Sequence, residues 1–125
     1  MPRQAAHFPS PVPIDAYGNG GFRFADMSHK GSLLILPSGM HGWEIGGGSR
    51  LLPKSFQAVF DEAEDIEFLL LGTGLKQEFP SANLRGAFEK RGVGLEVMDT
   101  GAACRTFNVL LAEARAVAAA LIAVD

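Results

Sequence analysis

The chain has 125 residues, 47% hydrophobic and 20% charged, with a net charge of −3. A domain of this length buries about two-thirds of its unfolded surface, and this composition excludes disorder over most of it. Lys and Arg are too scattered to form the basic stripe of a nucleic-acid binder, and the longest apolar run, residues 116–124, is too short for the roughly 20 residues of a bilayer crossing.

Residues 1–13 hold four of the seven prolines and no periodicity, which predicts a flexible N-terminal arm ahead of one domain over 14–125. The arm has neither the apolar stretch of a signal peptide nor the arginines of a transit peptide. In "IDAYGNGGFRFADM", Tyr17 and Phe22 flank a run from Gly18 to Gly21 that takes positive φ cheaply, which predicts a β-hairpin. "GSLLILP" is a continuous apolar run closed by Pro37, hence a buried strand. "HGWEI" follows a Ser38-Gly39 turn and is expected to pair back on it. "GGGS" at 46–49 then lets the chain reverse.

Pro53 opens the first predicted helix, where its missing N–H has no helical partner. Phe56, Val59, Phe60 and Ala63 form an apolar stripe at i, i+3, i+4 and i+7, with Asp61, Glu62 and Glu64 facing water. "EFLLLG" predicts a buried strand. Ser81 caps a second helix that carries Leu84, Ala87 and Phe88 on one face and stops at Gly92. "GLEVM" is the next strand, and Asp99-Thr100 begins a third helix. The order favours parallel strands joined by helical crossovers, while the N-terminal hairpin makes the sheet mixed. The tail "RAVAAALIAVD" reads equally as helix, by alanine propensity, or as a central strand covered on both faces.

Two bends fall at the same edge of such a sheet: Gly72-Thr73-Gly74 and Asp99-Thr100-Gly101. Open α/β sheets bind ligands at that carboxyl edge. The first bend lacks the third glycine of a dinucleotide fingerprint and the Gly-Lys-Ser/Thr of a phosphate loop, so it also reads as a plain turn. Asp99 and Thr100 suit a helix cap. Arg105 and Asn108, at i and i+3, share a face away from Ala103, Phe107, Leu110 and Leu111. Arg105 is placed to fold back onto Asp99 or to grip a carboxylate or phosphate, with Asn108 orienting it. The candidate ligand site is therefore Gly72, Thr73, Gly74, Asp99, Thr100, Arg105 and Asn108.

Cys104 is the only cysteine; an unpaired thiol fits a reducing compartment and a cytoplasmic location. Its place near a helix N-terminus favours a lowered pKa, whereas its alanine neighbours suit a small core residue. His7, His29 and His41 lack zinc-ligand spacing, so no metal or cofactor is expected. Glu113 and Arg115 are expected to pair weakly at the helix end. Trp43 reads as a core or hairpin anchor.

Taken together, "GSLLILP", Trp43, "LLLGTG" and "MDTGAACRTFNVLLAEAR" resemble one family, that of the mitochondrial complex I (NADH:ubiquinone oxidoreductase) assembly factor 3. That family includes uncharacterised bacterial proteins and the adipogenesis-associated Mth-domain-containing protein. The resemblance spans about residues 14–123. It implies a three-layer α/β domain with a mixed central sheet, the last strand lying centrally and antiparallel to its neighbours, which favours strand for residues 116–123. Family members often carry glycine where this chain has Ala114, a departure that argues against positive φ there. No catalytic activity is securely attached to the family, so no catalytic residue is implied. The expected function is that of an accessory protein acting on protein partners; the alternative is a protein or enzyme binding a small anionic metabolite at the sheet edge.

Overall fold

The computed structural model describes residues 8–45 and 51–125. Residues 1–7 of the expected arm, and the reversal assigned to 46–49, lie outside them. Phe8, within the described part of that arm, forms an isolated antiparallel bridge with Met40, whose N–H donates to its carbonyl.

Three short strands, β1 (Ala16–Gly18), β2 (Gly21–Phe24) and β3 (Met27–Lys30), form an antiparallel meander. Asn19 and Gly20 turn between the first two with φ of 52° and 78°, so the hairpin sits on the predicted Gly-Asn-Gly-Gly run. The larger sheet contains β4 (Ser32–Leu36), β5 (Gly39–Trp43), β6 (Phe68–Gly72), β7 (Gly94–Met98) and β8 (Val117–Leu121), in the order β5-β4-β8-β6-β7. All four segments expected as strands from "GSLLILP" to "GLEVM" are strands, and the ambiguous tail is one too.

The last strand lies centrally, as expected. It is antiparallel to β4 but parallel to β6, so antiparallel pairing with both neighbours is corrected on one side. The reason is connectivity. Helices α2 (Ala82–Lys90) and α3 (Thr100–Ala112) are crossovers that carry the chain from the carboxyl edge of the sheet back to its amino edge, so β6, β7 and β8 point the same way. The first crossover moves outward to β7 and the second moves back past β6 to β8. With one handedness for both, the helices fall on opposite faces.

Strand alternation builds two cores accordingly. Leu33, Ile35, Leu70, Ala119 and Leu121 face α3 and the meander, meeting Phe22, Phe24, Ala103 and Phe107. Leu34, Leu36, Leu69, Leu71, Ala118 and Ala120 face the other way, toward Phe56, Val59, Leu84 and Phe88. The alanines of β8 carry little volume, so helix or sheet can approach the central strand closely on both sides. The result is the expected three-layer α/β arrangement. Among the described residues no helix is long and apolar enough to cross a membrane.

The first predicted helix is broken. A 3₁₀ turn at Pro53–Phe56 leads into α1 (Gln57–Asp61), and a second 3₁₀ turn follows at Ala63–Asp65. The apolar stripe is nonetheless used: Phe56 and Val59 are buried, and Phe56 stacks against Trp43 and Phe88 with ring centroids 5.3 Å apart in each pair. Glu62 is only partly exposed. Its carboxylate accepts from Ser38 N–H at 2.9 Å and Ser38 Oγ–H at 2.6 Å, which draws the chain out of α1 and toward the β4–β5 turn. Ser81 caps α2 through Leu84 N–H at 3.1 Å, as predicted. At the end of α3, Ala114 N–H reaches Leu111 O and Arg115 N–H reaches Leu110 O, the paired bonds of a Schellman stop. These bonds force Ala114 to φ 58°, so the chain keeps a positive φ without glycine. Arg115 pairs with Glu67 at 3.2 Å rather than with Glu113.

Candidate functional site

The two bends do meet. Gly72 and Thr73 leave β6 beside the point where Met98 leaves β7, and Thr73 N–H donates to Met98 O at 2.9 Å. Thr100, at the first turn of α3 and fully buried, joins them. Its N–H donates to Gly74 O at 2.8 Å, its Oγ1 accepts from Gly74 N–H at 2.9 Å, and its hydroxyl donates to Ile122 O at 2.7 Å. One side chain thus ties the bend after β6 to the exit of β8. Glycine at position 72 eases this contact, since a Cβ there would lie 3.0 Å from Thr100 Cα and Oγ1 and 3.1 Å from Leu121 Cδ2, a tight fit that the neighbours would have to relieve. Gly74 needs it for another reason, a φ of +104°.

Thr73 organises the loop that follows. Its hydroxyl donates to Lys76 O at 2.6 Å and accepts from Glu78 N–H at 3.0 Å. Leu75 and Phe79, both 79% exposed, project from this ordered loop. Asp99 is the N-cap of α3, accepting from Ala102 N–H at 2.8 Å, which is the helix-cap role read from the sequence.

Arg105 touches the second bend only at Gly101, where a Cβ would lie 3.3 Å from its Nη1. No ion pair joins it to Asp99 among the described residues; its guanidinium instead donates to Tyr17 Oη of β1, at 3.5 Å. Gly101 makes room for that phenol, because a Cβ there would overlap it. Asn108 has a different task. Its Oδ1 accepts from Ile14 N–H and its Nδ2 donates to Ile14 O, both at 2.8 Å. The side-chain amide copies a backbone edge and fastens the strand entering the meander onto α3. Of the seven candidates, Gly72, Thr73, Gly74, Asp99 and Thr100 form one rim, while Arg105 and Asn108 face the N-terminal segment.

Cys104 is buried among the residues of the α3 core. Burial pushes its thiol up to about 12, against a smaller opposing pull from Arg105. Desolvation is the larger effect, so the thiol stays protonated at neutral pH instead of being activated by its place near the start of α3.

A polar cluster that sequence reasoning missed lies at the β4–β5 turn. Ser38 Oγ donates to Glu62 at 2.6 Å and also lies 2.7 Å from His41 Nε2; with its one proton on the carboxylate, the serine is left to accept from the imidazole. The order Glu-Ser-His places serine in the middle with its proton already committed to a carboxylate, the reverse of a histidine-activated nucleophile. The available signal was Ser38 and His41 three residues apart across a tight turn; Glu62, 24 residues away, gave none. Among the described residues no group of three His, Cys, Asp or Glu could hold a metal ion.

A three-layer α/β domain with its last strand central defines a class of fold. Chains of that class are found in several organisms. A crystal structure of a Bartonella henselae protein, called an outer membrane protein, superposes with a TM-score of 0.91 at 50% identity, covering 95% of this chain and 100% of that one. An uncharacterised protein of Rhodobacter capsulatus is 37% identical over 92% of this chain and 87% of its own. The mouse NADH dehydrogenase [ubiquinone] 1 alpha subcomplex assembly factor 3 is 35% identical over 117 residues, 94% of this chain and 63% of its own. The chain thus spans about three-fifths of the length of that mouse relative. Residues 14–122 match the family described as "Protein of unknown function (DUF498/DUF598)", and the chain belongs to it.

Proposed function

We propose that this protein is an accessory factor that works by binding other proteins in the cytoplasm of a bacterium, and that its clients are subunits of respiratory complex I. The observation that carries the reading is the 35% identity to the mouse assembly factor across 94% of this chain. The ordered loop that presents Leu75 and Phe79 to solvent supports it, since large apolar side chains held outward suit docking onto a partner. Deletion in the native host tests the proposal. The expected result is less assembled complex I on native gels and slower NADH-driven respiration, both restored by the wild-type gene. Unchanged complex I in the deletant refutes it.

A second reading keeps the rim Gly72, Thr73, Gly74, Asp99 and Thr100, with Arg105 beside Gly101 at its border, as a site for an anionic metabolite. What favours it is Arg105, whose exposed guanidinium has only a long contact to Tyr17 among the described residues. A metabolite-induced rise in melting temperature that disappears in Arg105→Ala would support this reading over the first.

A further inference from the structure

We propose that the hollow on the outer face of the three-stranded meander is a binding site for a small oxyanion, distinct from the rim described above. The hollow has a volume of about 380 Å³ and is lined by β1, β2 and β3, a size within the range of small-ligand pockets. Register fixes what faces outward. Ala16, Arg23 and Ser28 are opposite one another, as are Gly18, Gly21 and Lys30 one step along. Two cations therefore stand at diagonal positions, within reach of one ligand, with small residues between them.

The floor stays bare for a structural reason. A Cβ on Gly21 would overlap the His29 carbonyl oxygen, so no side chain can fill the space beside Arg23 and Lys30. The turn above is held in place, with Gly20 N–H donating to Val124 O at 2.8 Å and Gly31 N–H to Gly20 O at 2.7 Å. The chemistry of the lining has one sign. Arg23, Lys30, Ser28 and the Asn19 amide all offer donors, and no carboxylate lines the hollow. Neither Arg23 nor Lys30 takes part in an ion pair among the described residues. In a chain of net charge −3, two unneutralised cations facing one cavity favour a ligand with a planar or tetrahedral oxyanion, for which the arginine fork is suited.

The test is a titration of the full chain with inorganic phosphate and, separately, succinate at matched ionic strength, followed by backbone amide NMR. At least one anion is expected to produce saturable shifts, with a Kd on the order of 1 mM, centred on Gly18, Asn19, Gly21, Ser28 and Lys30; the arm that saturates identifies phosphate or carboxylate as the preferred group. Arg23→Ala/Lys30→Ala, both exposed positions, should weaken binding by about tenfold or more, whereas Lys76→Ala should not. Non-saturating shifts with both anions, shifts centred elsewhere, or equal affinity in the double variant would each overturn the proposal. None of these outcomes bears on complex I assembly.

Discussion

Replacing Thr100 by valine keeps the shape of the side chain and removes its hydroxyl. Two backbone groups then lose their partner: the buried Gly74 N–H at 2.9 Å and the Ile122 carbonyl at 2.7 Å. An orphaned buried polar group costs about 1–3 kcal/mol. Ile122 is only half-buried, so its carbonyl belongs at the low end, and the sum is about 2–4 kcal/mol. Small domains are stable by about 5–15 kcal/mol, which makes this a large fraction. With a urea m-value of about 1.5 kcal/mol/M, a loss of about 3 kcal/mol lowers the midpoint by about 2 M. Thr100→Ser keeps both hydrogen bonds and deletes one methyl, a loss of about 1 kcal/mol. Urea unfolding followed by circular dichroism, with unchanged slopes, separates the two variants. If valine costs no more than serine, the hydroxyl does not join the two bends and the account of the rim is wrong.

Ala114→Gly should stabilise the protein by about 0.5–1 kcal/mol, because alanine at φ 58° pays a left-handed penalty of about 1–2 kcal/mol that glycine avoids, partly offset by glycine's freer unfolded chain; a lower urea midpoint would contradict this. Asn108→Ala should cost about 1–2 kcal/mol through loss of both Ile14 bonds and speed amide exchange at Ile14 and in the meander more than in β6, whereas uniform exchange would show that the amide is no clamp. For Cys104, the unfolded thiol releases its proton near 9.0 while the folded one holds it to about 12. The folded state then binds the extra proton, so this group's contribution to stability falls as pH rises from 9 toward 12. Cys104→Ala should lose that part of the alkaline decline, and wild-type protein should resist alkylation at pH 8; equal alkaline slopes would argue against burial of the thiol.

What could be read in the sequence was mostly local. The Ser81 and Asp99 caps lie three residues from the N–H groups they bind, so composition alone located both helix starts. The continuous apolar runs "LLIL" and "FLLLG" mark strands because each of their two faces meets a core of its own. The first helix was misjudged because its aromatic stripe satisfies helical spacing whether the turns are α or 3₁₀, and only Glu62 reaching Ser38 shows where the segment bends. The direction of β8 depends on two crossovers, neither of which leaves a signature in the strand itself. Asn108 looked like a ligand-facing residue because its partner, Ile14, is 94 positions away. Arg105 lies close to Asp99 along the helix, but that carboxylate caps α3 through Ala102 N–H and the guanidinium reaches the Tyr17 phenol, 88 positions away in the chain.

The place of β8 has a consequence for biogenesis. Among the described residues, the strand at 117–121 joins the pair β5-β4 to the pair β6-β7 within the sheet, yet it follows the other strands during translation. Until it emerges from the ribosome, a nascent chain holds two half-sheets, each with a naked apolar border where the final strand belongs, and such borders invite pairing with neighbouring polypeptides. A stop codon before Val117 would therefore yield an aggregating pair of fragments on one chain rather than a slightly shortened domain.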